Sequence, residues 1–231
     1  MGQLTLPVGL RDGNTLASYL PAANPEALSA VRSLLAGQEL FVYLWGAPGT
    51  GKSHLLEAVV EAVVSEGLKV AYIALGLQPL PDIDVLEGAA DTADIVCIDD
   101  IDKIAGDSRW EEAFFHLFNG LRARGARLVV VAAAPPMALG LSLADLVSRF
   151  GSGLTVQMAP LDDQTRLAIL VFRAARRGLD LPPETGRFLL TRTSRRLDAL
   201  VALLGQLDRA ALVHQRRLTV PFVRQVLGWG A

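Results

Sequence analysis

The octapeptide Gly46-Ala47-Pro48-Gly49-Thr50-Gly51-Lys52-Ser53 constrains this chain more than any other part of it. It is a complete G-x-x-x-x-G-K-S, the pattern of a backbone loop that wraps a phosphate. A short apolar run over 40–45 precedes it and reads as a buried strand. Behind it Leu55, Leu56, Val59, Val60, Val63 and Val64 recur at helical spacing, with Glu57 and Glu61 on the opposite face and Gly67 placed to end the helix. In such a strand–loop–helix the glycines let N–H groups turn onto a β-phosphate, and the helix N-terminus adds positive potential. Lys52 would span the β- and γ-phosphates and Ser53 would help hold Mg²⁺. Gly46 to Ser53, with His54 adjoining them on the helix, are the candidate nucleotide-binding residues.

A second apolar run, 95–98, ends in Asp99-Asp100. An acid in that position of a phosphate-loop protein stands beside Mg²⁺, so Asp99 is assigned to the metal and Asp100 to orienting an attacking water. Cys97 lies inside the run and reads as core. It is the only cysteine, which excludes a disulfide scaffold and a multi-cysteine metal site. His54, His116 and His214 show no metal-ligand spacing.

Further apolar runs at 69–75, 128–132 and 154–157 read as strands. Asn24-Pro25-Glu26 reads as the start of a helix with Asn24 as N-cap, and Ser108 to Glu111 has capping-box spacing before a helix that buries Trp110, Phe114, Leu117, Phe118 and Leu121. Short strands alternating with helices predict a parallel sheet covered on both faces. After Pro160 only helices are predicted, over 163–177, 184–193, 197–215 and 220–228. Charge divides at the same point. Residues 1–159 hold 10 Lys/Arg against 18 Asp/Glu, whereas 160–231 hold 12 Arg, no Lys and 6 acids. The division predicts two modules, the second suited to an acidic neighbour or to phosphates.

The whole chain has 231 residues and a net charge of −2, and half of it is apolar. That excludes a disordered chain and a strongly basic nucleic-acid coat. The mean hydropathy of +0.35 raises the question of a membrane. The longest uncharged run, 128–144, is broken by Pro135, Pro136 and Gly140 and is too short to span. The N-terminus has no signal-peptide pattern, so the expectation is a cytoplasmic protein with no membrane partner.

The string Leu44-Trp45-Gly46-Ala47-Pro48-Gly49-Thr50-Gly51-Lys52-Ser53-His54-Leu55-Leu56, with Ile98-Asp99-Asp100-Ile101, resembles the AAA+ module of the bacterial replication initiator family, DnaA. Ser148-Arg149-Phe150-Gly151-Ser152-Gly153-Leu154 resembles that family's arginine-finger segment. Gln206-Leu207-Asp208-Arg209-Ala210 and Leu218-Thr219-Val220-Pro221-Phe222-Val223 resemble the end of its helical lid. Gln3-Leu4-Thr5-Leu6-Pro7-Val8 resembles the peptide that docks on the replicative sliding clamp. The chain ends near where a lid should end, with no room for the family's helix-turn-helix, which points to its regulatory, DnaA-homologous branch.

The resemblance implies a five-stranded parallel AAA+ P-loop α/β domain over 13–159, a small α-helical lid over 160–231, and a flexible clamp-binding peptide over 1–12 in which Gln3, Leu4, Leu6 and Pro7 make the contact. It implies ATP or ADP as ligand, with DnaA and the DNA polymerase III beta sliding clamp as partners. The implied activity is to stimulate hydrolysis of DnaA-bound ATP, with Arg149 as the catalytic arginine supplied in trans. Two positions depart from the family pattern. Ala132, Ala133 and Ala134 stand where a polar sensor is expected, and Asp198, with Arg195 and Arg196 just before it, stands where the lid should present an arginine, a role that a small shift of register would give to Arg196. Both departures predict weak hydrolysis of the protein's own nucleotide. The rival readings are a self-contained ATPase of helicase-loader or clamp-loader type and an adaptor in which nucleotide is structural. Self-association and direct DNA contact are left open by the sequence.

Overall fold

The computed structural model describes residues 14–193, 197–214 and 216–229, with Asp198 by its backbone alone. These fall into two compact units. One holds 24–159; the other holds 160–229 together with 17–23.

The first unit is a five-stranded sheet of β1 (Phe41–Trp45), β2 (Val70–Ala74), β3 (Ile95–Asp99), β4 (Arg127–Ala132) and β5 (Leu154–Gln157), in the order β2-β3-β4-β1-β5. Every pairing is parallel, with Tyr43 beside Val130, Leu44 beside Val156 and Ala74 beside Asp99. Parallel strands buried on both faces are apolar along their length, as β1 is and as β3 is up to Asp99 at its end. Helices α1 (Pro25–Leu35) and α2 (Lys52–Ser65) cover one face. Helices α3 (Val85–Thr92), α4 (Ser108–Arg124) and α5 (Ala144–Gly151) belong with the other. There Phe41, Tyr43, Ile73, Ile98 and Val130 pack with Trp110, Phe114, Phe118 and Phe150.

The second unit contains α6 (Asp163–Arg176), α7 (Pro183–Arg192), α8 (Leu197–His214) and α9 (Val220–Leu227). They close on Leu170, Leu189, Leu200, Leu204, Leu207 and Phe222. Among the described residues no helix is long and apolar enough to cross a membrane.

The strands and long helices lie within a residue or two of the sequence reading. Three local details differ. Helix α5 was not expected, because two turns between Gly140 and Gly153 are too few to show a period. Asn24 holds the N-cap position of α1 as expected, but its side chain makes no capping hydrogen bond. Its side chain instead accepts from Ala159 N at 2.7 Å and donates to Thr50 O at 3.3 Å, which braces the loop before α2. Glu57, expected on the open face of α2, is 7% exposed and accepts from Asn14 Nδ2 at 2.6 Å.

Candidate functional site

The C-terminal ends of β1, β3 and β4 meet at one edge of the sheet, where open parallel sheets bind ligands. The loop 46–51 lies there between β1 and α2. Gly46 donates to Ala132 O at 3.2 Å. A Cβ at Gly46 would stand 2.5 Å from Met158 O, so only glycine allows that approach. Gly49 and Gly51 have φ of +83° and +97°, which turns successive N–H groups to one side. Gly51 is the N-cap of α2, and no side chain caps this end or places an acid in its first turn. A helix start without a side-chain cap suits an anion.

Lys52 is 9% exposed, and its Nζ folds back to donate to Gly46 O at 2.6 Å and Ala47 O at 3.1 Å. Burial lowers its pKa, opposed by Asp100, Asp99 and Asp102. Thr50 is buried and bonds Ala47 O at 3.1 Å, which holds the loop shut. Ala47, Pro48 and Ser53 are exposed, and His54 is half-buried at the first turn of α2.

Asp99 ends β3 and is 5% exposed. One carboxylate oxygen, Oδ2, accepts from the Tyr72 hydroxyl at 2.8 Å. The other, Oδ1, has no partner among the described residues. Burial raises the Asp99 pKa; the Tyr72 and Ser53 hydroxyls, the Asp100 N–H and the Lys52 ammonium favour the charged form and do not offset it. Asp100 takes a left-handed backbone, φ 57°, which is strained for a residue other than glycine. Its carboxylate lies against Gly76. Burial first, then Asp99 and Asp102, raise its pKa.

These groups fit a magnesium nucleotide. The orphaned Oδ1 of a buried carboxylate and a serine hydroxyl are hard oxygen donors. Among the described residues no group of three or more His, Cys, Asp or Glu gathers for a metal. Mg²⁺ needs no such cage, since it binds through one or two protein groups plus phosphates.

At the tip of β4 the alanines leave backbone alone for contact. Ala133 N donates to Asp102 Oδ1 at 3.1 Å, and the Tyr43 hydroxyl donates to Ala134 O at 2.9 Å. Arg149 is on α5, its guanidinium 5.6 Å from the Phe115 ring centre and 5.8 Å from that of Phe118, both on α4. Phe118 in turn meets Phe41, ring centres 5.3 Å apart, at the start of β1, the end of the strand opposite to the phosphate loop. The structure therefore brings Lys52, Ser53, Asp99 and Asp100 together and leaves Arg149 apart from them. Gln3, Leu4, Leu6, Pro7, Arg195 and Arg196 lie outside the described residues, as does the Asp198 side chain.

The sequence reading missed Tyr72 and Asp102. The signal for Tyr72 was present: a hydroxyl in the apolar strand Val70–Ala74 needs a partner when buried.

The comparisons with known proteins agree with this geometry. Residues 163–227 match the family model of the Hda lid domain, and residues 80–157 match that of the bacterial DnaA ATPase domain. Domain III of the Thermotoga maritima replication initiation protein DnaA superposes with a TM-score of 0.75, at 24% identity, over 93% of this chain and 95% of that one. The AMPPCP-bound DnaA of Aquifex aeolicus is 26% identical, with a TM-score of 0.69 over 85% of this chain and 66% of its own. The Thermotoga maritima RuvB Holliday junction branch migration motor shares the fold at 15% identity, with a TM-score of 0.63 over 91% of this chain and 69% of its own.

Proposed function

We propose that this chain, an Hda/DnaA-like AAA+ protein, binds ATP or ADP with Mg²⁺ at its own sheet edge and acts in trans on ATP held by DnaA. Its lid and ATPase-domain matches make it a DnaA-related, replication-regulatory AAA+ protein. In the finer reading the protein docks on the sliding clamp in the cytoplasm through Gln3, Leu4, Leu6 and Pro7, stimulates hydrolysis of DnaA-bound ATP and so inactivates the initiator.

The observation that carries this reading is that Arg149 lies over Phe115 and Phe118 of α4, and Phe118 meets Phe41 at the start of β1, whereas the phosphate loop follows the end of that strand. A guanidinium on the far side of α4 from the phosphate loop of its own chain would be open to serve another. Supplied in trans to charge developing on a transferred phosphoryl group, such a cation is worth roughly 10³–10⁵ in rate.

At the protein's own site Lys52 would leave Gly46 O and Ala47 O for the β- and γ-phosphates. The turned N–H groups of 46–51 and the uncapped start of α2 would hold the β-phosphate. Ser53 and Asp99 would hold Mg²⁺, which when bound supplies positive charge to the phosphates. Asp100 would orient a water. With only alanine at 132–134, no side chain from β4 can help it, so the bound nucleotide serves mainly to fix the shape of the protein.

The reading is tested by hydrolysis of DnaA-bound ATP with this protein added, with clamp on DNA present or withheld. Arg149→Ala should abolish stimulation, and Asp100→Asn should leave it intact. A variant with Gln3, Leu4 and Leu6 all changed to Ala should fold normally, lose clamp binding and lose the clamp-dependent part of the stimulation. The convergence of Lys52, Asp99 and Asp100 favours a second reading, a self-contained ATPase. Turnover without DnaA that is lost in Asp100→Asn and kept in Arg149→Ala would establish it instead.

A further inference from the structure

Glu111 is a buried carboxylate that the chemistry above does not use. It lies on the first turn of α4 with 0% of its surface exposed. Its Oε1 accepts from Gly106 N at 2.8 Å and from Ser142 N at 3.1 Å. Its Oε2 accepts from Ser142 N at 2.8 Å and from Leu143 N at 2.7 Å. Gly106 belongs to the turn that leads into α4. Leu143 is the N-cap of α5 and has no side chain able to cap it. One carboxylate thus ties together the starts of two helices, and its negative charge sits where the dipole of each favours it.

The same face of α4 also holds the far end of α5. Residues 111, 115 and 118 follow one another at helical spacing. Phe115 and Phe118 lie against the Arg149 guanidinium. Between the two ends, Leu146 and Phe150 are buried at 0% and 1% exposure and fix the rotation of α5 about its axis.

We propose that Glu111 is the positioning residue for Arg149: by gripping Ser142 and Leu143 it sets where α5 begins on α4, and so where its arginine stands. The proposal rests on the reading of Arg149 as a cation lent to a partner's phosphoryl group. Such a cation acts only if it is already in place when charge develops, and a displacement of about 1 Å is enough to lose on the order of 10²-fold. Glutamine cannot replace the carboxylate. It offers one acceptor oxygen and turns an NH₂ donor toward backbone N–H groups that are donors themselves.

The test measures stimulated hydrolysis of DnaA-bound ATP across a concentration series of the full chain, with ADP affinity measured in parallel. Glu111→Gln should lower the maximal stimulated rate at least about tenfold, by the same placement argument. The concentration for half-maximal stimulation and the affinity for ADP should stay unchanged. Amide hydrogen exchange at Ser142 and Leu143 should speed up. A variant that only shifts the half-maximal concentration, or loses ADP binding as well, has a general structural defect, and the proposal is overturned. Full stimulation by Glu111→Gln beside an inactive Arg149→Ala overturns the positioning role and leaves the Arg149 reading standing. Full stimulation by Arg149→Ala overturns both. If Glu111→Gln does not fold, Glu111→Asp keeps both acceptors but shortens the reach. It should fold and show the same loss of maximal rate; an unchanged maximum overturns the proposal.

Discussion

The ends of β3 and the start of α4 each bury a carboxylate, and the two are treated oppositely. Glu111 has both oxygens filled by backbone N–H donors from three residues. Asp99 has one oxygen filled by Tyr72 and one with no partner among the described residues. Folding alone has no use for a buried lone pair without a donor, since it costs roughly 1–3 kcal/mol. A satisfied carboxylate of this kind is an anchor, and an unsatisfied one beside Lys52 and Ser53 is a socket. Under the proposed function the two regions would do different work: the β3 edge would hold a ligand of this chain, and the α4–α5 corner would hold the geometry of an arginine offered to another.

The largest expected effect tests that division directly. Arg149→Ala should lower stimulated hydrolysis on DnaA at least about 10³-fold, while calorimetry shows unchanged ADP affinity. If ADP affinity falls with it, the two regions are one site and the contrast is lost.

Next in size is the anchor itself. Glu111→Ala strips three part-buried N–H groups of their acceptor and empties a fully buried side-chain position, and urea unfolding should show a loss of about 3 kcal/mol. A loss below about 1 kcal/mol would mean that these donors find other partners and that Glu111 is not what joins α4 to α5.

Smaller again is the socket's cation. Lys52→Ala removes one charged contact to phosphate and should weaken ADP and ATP about 10- to 100-fold, with circular dichroism unchanged. Equal affinity in the variant would show that Gly46 to Ser53 do not cradle a phosphate.

Much of this was legible in the sequence for physical reasons. The phosphate loop is local: its glycines, lysine and serine act within one turn of chain, so the string alone places them. Five apolar runs with helices between them determine a parallel sheet. The α4–α5 corner was not legible. Glu111 reads as the last member of a capping box headed by Ser108, whereas the N-cap is Asp107, whose Oδ1 accepts from Arg109 N and Trp110 N. That frees Glu111 to reach residues 142 and 143, a pairing across 31 and 32 positions that no local pattern encodes. Asn24 misled in the same way, as an N-cap residue by type that bonds Ala159, 135 positions away. Side chains that act on distant backbone are the part of a site that spacing does not reveal.

The smallest expected effect concerns the proton on Asp99. Burial raises its pKa above the ordinary 3.8, and Tyr72, Ser53 and Lys52 do not offset this. Between the ordinary and the raised value the folded protein keeps a proton that the unfolded chain has released. Folding then takes up a proton, so the stability of the nucleotide-free protein should be highest on the acid side and fall as pH rises through that interval. Asp100 is shifted in the same direction and adds to the slope. Asp99→Asn removes the charge that burial disfavours. At neutral pH it should stabilise the nucleotide-free protein by about 1 kcal/mol, the lower end of the cost of a buried polar atom without a partner, and flatten the pH dependence in part. The same substitution should weaken Mg²⁺-dependent nucleotide binding, because the oxygen that harms the empty fold is the one that would meet the metal. Glu111→Gln should differ on both counts, with lower stability and unchanged nucleotide affinity. Urea titrations at several pH values and Mg²⁺-dependent calorimetry on the two variants decide the matter. If Asp99→Asn destabilises the nucleotide-free protein as Glu111→Gln does, then Asp99 is a second anchor, and the socket must be sought elsewhere on the sheet edge.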